Sequence, residues 1–170
     1  ADRARAEQRD EIELASLEKV VELGFGFSNT ESRIARLKDN ISSEKYAFHI
    51  KETIDYIDQG NFKLASSEIA KASNLFPNRA QIKELERTIS INLKRIQVAA
   101  LVAKADAYGQ LDQWALAQKT YSEALSISKA DRLASEGKTR AINILKLKEG
   151  LLDIYNRPLR LKDTTVLKFA

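Results

Sequence analysis

The residues best suited to chemistry in this chain are few and scattered. The single histidine, His49, sits among apolar helix positions, and there is no cysteine. A histidine-based metal centre needs further ligands of that kind, so His49 reads as a packed or partly exposed helix residue. Acidic neighbours such as Asp10 and Glu11, or Glu84 and Glu86, lie in highly charged stretches and read as solvated helix surface. No serine occupies a strand–turn–helix elbow. The segment GFGFSN (24–29) superficially suggests a phosphate loop, but it lacks a third glycine and a preceding strand. The one tryptophan, Trp114, is expected to pack rather than stack on a ligand. We therefore expect no catalytic residue, no metal site and no cofactor: not an enzyme.

The composition says what kind of frame would hold these residues. With 170 residues, 44% hydrophobic and 31% charged, the chain can bury a core and has a soluble balance. Only 6 glycines and 2 prolines interrupt it, which favours long helices over many short strands. No apolar run approaches the roughly 18 residues of a membrane span. The sequence starts at Ala1 and holds no methionine, which reads as a fragment or processed product. The net charge of +4 is uneven, with eight Lys/Arg against three acids from Lys138 to Ala170. Such a segment can meet an anionic membrane surface, although a solvated helix face is the plainer reading, and nucleic acid is not expected as a partner.

Periodicity and breakers predict an all-α chain. A charged amphipathic helix over 3–23 carries Ile12, Leu14, Leu17, Val20, Val21 and Leu23. Gly24 and Gly26 end it in an apolar turn that should pack through its two phenylalanines. Asn29 or Thr30 caps a helix over 30–59, in which Ile34, Leu37, Ile41 and Phe48 have heptad-like spacing. Gly60-Asn61 ends that helix. Further helices are expected over 62–75, over 78–110, over 113–128 and over 130–156. Pro158 forces Arg157 out of the helical region, and Asp163 would cap a last helix cut at Ala170.

One pattern returns. Tyr56-xxx-Gly60-Asn61-Phe62-xx-Ala65 parallels Tyr108-xxx-Asp112-Gln113-Trp114-xx-Ala117, and Ile69 and Ala72 parallel Tyr121 and Ala124. This resembles the tetratricopeptide repeat, a helix–turn–helix unit of about 34 residues. The resemblance implies antiparallel helical hairpins in a right-handed helical repeat. It places Ala65, Ala72, Ala117 and Ala124 where two backbones approach, with Ile69 and Tyr121 filling the neighbouring holes. Ala105 would be the small residue of the first helix in the second unit, where the first unit has Thr53. The units lie 52 residues apart, about 18 more than the family's period. That surplus is five helical turns, so the first helix of the second unit should be lengthened, not interrupted. Three segments follow: an N-terminal helical hairpin (1–46), two repeat-like units (47–128), and a C-terminal part (129–170).

In that family the first helices line a groove that binds partners. The matching positions here are Ala47, Ile50, Ile54 and Ile57 in the first unit, and Ala99, Val102, Asp106 and Gly109 in the second. No lysine–asparagine clamp for a carboxylate is present among them. Ile50, Ile54 and Ile57 would form an apolar stripe needing a cover. The helix over 12–23 can fold back onto it, since the short turn makes that return easy; a partner's amphipathic helix or a second copy of the chain can cover it instead. The expected role is a protein–protein interaction scaffold, the alternative being a self-association or spacer domain of a membrane-anchored bacterial protein. The chain fits the soluble extracytoplasmic part of such a protein; a cytoplasmic adaptor fits almost as well.

Overall fold

The computed structural model describes the backbone of residues 2–27 and 29–157, and side chains from residue 8 onward within those ranges. The expected cap at Asp163 and helix to Ala170 lie outside the described residues. Among those described there are six helices and no strand. They are α1 (Asp2–Glu22), α2 (Thr30–Asp58), α3 (Phe62–Leu75), α4 (Ala80–Gln110), α5 (Trp114–Ile127) and α6 (Arg132–Asn156). Each lies within two residues of its expected bounds, because glycine, asparagine and proline breakers are so sparse. The chain divides into two units, 1–92 and 93–170, and the boundary falls inside α4. The lengthened helix is therefore continuous over 31 residues, as the five-turn surplus requires.

In the first unit, α1 packs antiparallel to α2, with ion pairs from Glu13 to Arg33, Glu18 to Lys38 and Glu11 to Lys45. Half-buried Leu14 and Leu17 of α1 and buried Leu37 and Ile41 of α2 supply the apolar contact area. Farther along, α2 changes partner. At ~100° per residue, Ile34, Leu37 and Ile41 lie on one side of α2, and Tyr46, Ile50 and Thr53 lie nearly opposite. On that second side Tyr46 meets Phe76, just after α3, edge-on with ring centroids 5.4 Å apart. His49 Nδ1 lies 2.7 Å from Glu68 of α3. Phe48 falls on the first side by the same register but is exposed, so the buried heptad stops at Ile41.

The turn between α1 and α2 departs from expectation. Phe25 and Phe27 are 70% and 77% exposed, where packing was expected. A two-helix hairpin has no interior at its tip, so these rings have nothing to pack on. At the start of α2 the two expected cap residues behave differently. Asn29 makes no side-chain cap bond; the Thr30 hydroxyl instead accepts from the Phe27 amide at 3.1 Å.

The two repeated segments have the same backbone. Gly60 and Asp112 both adopt left-handed conformations, with φ of 72° and 59°. Asn61 donates to the Tyr56 carbonyl and Gln113 to the Tyr108 carbonyl, at 2.8 and 2.9 Å. The helices that follow, α3 and α5, are both 14 residues long. Ala65, Ala72, Ala105, Ala117 and Ala124 are all 0% exposed, so methyl-sized side chains stand where the helices press together. A leucine at any of them would force a helix outward.

Candidate functional site

A grouping of polar and aromatic side chains lies in the second unit. Asp106, Gly109 and Gln110 of α4, Trp114 and Tyr121 of α5, and Arg140 of α6 line an open pocket of about 330 Å³. Several features hold it in place. Asp131 caps α6 by accepting from the Ala134 amide at 2.8 Å, which sets where that helix begins. Gly137 lets α6 approach Tyr121 so closely that a Cβ there would overlap the ring. The Tyr121 hydroxyl, pinned between the helices, donates to Asp106 Oδ1 at 2.5 Å. Burial, reinforced by that hydrogen bond to a carboxylate, pushes the Tyr121 phenol up to about 12.

The aromatic wall has its own support. Trp114 Nε1 donates to Asp112 Oδ1 at 2.7 Å, and Asp112 also pairs with Lys148 of α6. The Lys148 and Trp114 hydrogen bonds hold the Asp112 carboxyl below the usual carboxylate range. Gly109 makes room for the indole: a Cβ at 109 would lie 3.0 Å from Trp114 Cζ3. The equivalent residues of the first unit, 52 positions earlier, are Ile57 and Phe62. A larger helix residue is thus matched by a smaller ring there, and a glycine by a larger ring here. Asp106 replaces Ile54 by the same register.

The expected groove residues are divided by this geometry. Asp106 and Gly109 line the pocket, whereas Val102 is buried in the core beside it. In the first unit, Ile50 is buried, Ile57 half-buried, Ala47 exposed and Ile54 39% exposed. The isoleucine stripe therefore runs from the interior at Ile50 to the surface at Ile54. Ion pairs join α1 to Arg33, Lys38 and Lys45 of α2, all before the stripe, which is itself divided. The reason is that i, i+4 and i+7 positions spread over ~60° of helix surface, so one edge can point inward and the other outward.

Trp114 and Tyr121 were expected only as packing residues, and Arg140 was not singled out. Gly137 is the signal that finds Arg140: a glycine inside a helix marks a close approach, and the residue three further on shares its face. The remaining candidates make local polar contacts. His49 and Lys71 both contact Glu68, at 2.7 Å each. These contacts, Lys71 foremost, hold its carboxyl below the ordinary value. Of the basic C-terminal residues, Lys148 and Arg157 are ion-paired to Asp112 and Asp153, while residues 158–170 lie outside those described. Among the described residues no three His, Asp or Glu side chains are grouped as a metal site requires. Comparison with family models, with curated proteins and with solved structures finds no match to the chain.

Proposed function

We propose that this chain is a non-enzymatic protein-interaction scaffold of the tetratricopeptide type, which docks a segment of another protein against the α4–α5–α6 unit. The observation that carries the reading is the pocket lined by Asp106, Gly109, Trp114, Tyr121 and Arg140. Two of those residues occupy groove positions of the repeat register. Supporting it are the two hairpin turns with matched backbone conformations and the buried alanine seam. Rigid aromatic side chains beside charged groups are what partner anchors use, because they bury area at little entropic cost. The test is selection of a random dodecapeptide library on the purified protein. Enriched peptides that change Trp114 fluorescence support docking here. A library from which no peptide is enriched removes the reading. Since Trp114 is the only tryptophan, the optical signal reports this pocket alone.

A role in self-association is the second reading. It is favoured by the exposed Leu23, Phe25 and Phe27 at the α1–α2 tip, an apolar knob that a second copy of the chain can cover.

A further inference from the structure

We infer that the pocket selects an acidic residue: Arg140 takes the carboxylate of an aspartate or glutamate side chain in the docked segment, and Asp106 takes a backbone N–H of the same segment. The inference rests on the docking reading above and names the chemistry of the partner.

Three observations lead to it. The Arg140 side chain lines the pocket and forms no ion pair with any carboxylate among the described residues, although Asp106 lines the same pocket. Two opposite charges that share a cavity without closing on each other leave a gap that an occupant can bridge. An arginine fork matches a carboxylate in a bidentate geometry, which gives direction as well as attraction.

Asp106, for its part, is already committed. Its Oδ1 accepts the Tyr121 hydroxyl, which fixes the carboxylate in place and leaves its other oxygen to accept a second donor. An acidic residue in an extended segment offers both complements at once, a side-chain carboxylate and a main-chain N–H. Trp114 forms the wall against which its methylene stem can lie, and Gly109 keeps that wall free of a side chain.

The third observation is the charge around the pocket. Residues 93–157, the described part of that unit, hold 11 Lys/Arg and 7 acids, a net of +4, whereas residues 1–92 hold 14 and 16, a net of −2. The unit that carries the pocket is the one whose field attracts an acidic segment. Lys148, beside Trp114 through Asp112, is already paired with that carboxylate, so Arg140, the one cation lining the pocket, is its available anchor.

The dodecapeptide selection tests this when run in parallel on the wild-type protein and on Arg140→Gln. Arg140 is exposed, so its replacement leaves the core intact; unchanged circular dichroism and melting temperature check that. The expected result is enrichment of Asp or Glu at one peptide position with the wild type and loss of that preference with Arg140→Gln. Changing the selected acid to its amide should weaken wild-type binding about tenfold or more, as read by Trp114 fluorescence. The same change should have little effect on Arg140→Gln. Arg140→Lys should recover only part of the affinity, since it keeps the charge and loses the fork. Enriched peptides with no acidic preference, or acidic peptides that bind Arg140→Gln equally well, overturn the inference and leave docking standing. Failure to enrich any peptide overturns both.

Discussion

At the scale of single residues, two glycines of one helix make opposite predictions. Gly150 lies in α6 with nothing within 4 Å of the position a Cβ would take. Alanine there should stabilise the protein by about 0.5–1 kcal/mol, the helix-propensity difference. Gly137→Ala gains the same propensity but drives a methyl into the Tyr121 ring. That ring cannot swing aside, because its hydroxyl is tied to Asp106. Overpacking should win, with a net loss of about 1–2 kcal/mol. Urea denaturation of both variants checks the pair; destabilisation by Gly150→Ala would count against the environments described for them. Tyr121 carries a second prediction. Its pKa is raised from 10.0 to about 12, so folding favours the neutral phenol. The contribution is fully present below pH 10 and is lost as pH rises through about 12, amounting to roughly 2 kcal/mol. The gap in unfolding midpoint between wild type and Tyr121→Phe should therefore narrow between pH 9 and pH 11.5. A gap that stays constant would show that the hydroxyl is not protected.

At the scale of elements, the two hairpins depend on the alanine seam rather than on large apolar side chains. Ala117→Leu should cost about 1–3 kcal/mol, because α5 must move out to admit the extra methylenes. Ala115→Leu, two residues earlier on an exposed position of the same helix, should change stability by less than about 0.5 kcal/mol. Chemical denaturation of the two proteins side by side separates a packing cost from a propensity effect; equal losses would mean the seam is not a close contact. The seam was legible in the sequence, since Ala65, Ala72, Ala117 and Ala124 recur in register with the aromatic and turn residues. Most helix bounds were legible because they lie beside a glycine, asparagine or proline with a direct backbone effect; the turns at 111–113 and 128–131 hold none of these. The double face of α2 was less so. Ile34, Leu37 and Ile41 look like a heptad that continues to Phe48, but α2 turns from α1 to α3 midway. Sequence spacing cannot show which neighbour an apolar residue meets.

At the scale of the whole molecule, the exposed α1–α2 tip makes the prediction. Leu23, Phe25 and Phe27 present apolar surface to solvent, so the protein should associate as its concentration rises. Phe25→Ser with Phe27→Ser should reduce that association while leaving the melting temperature within about 2 °C, because neither ring is part of a core. Light scattering over a concentration series reads the outcome, and a wild-type protein that stays monomeric throughout would dismiss the self-association reading. The division of labour between sequence and structure is also clearest here. The amino-acid sequence by itself determined the helices, their lengths, the 52-residue repeat and the uninterrupted α4, because backbone preferences and apolar periodicity act locally. It also marked Asp106 and Gly109, through the repeat register. Only the tertiary structure decided that Ile50 and Val102 are interior, that the two phenylalanines have no cover, and that Arg140 joins Asp106 and Trp114 at one pocket. Those outcomes depend on which helix faces meet across tens of residues, and packing between distant segments, not local preference, sets that.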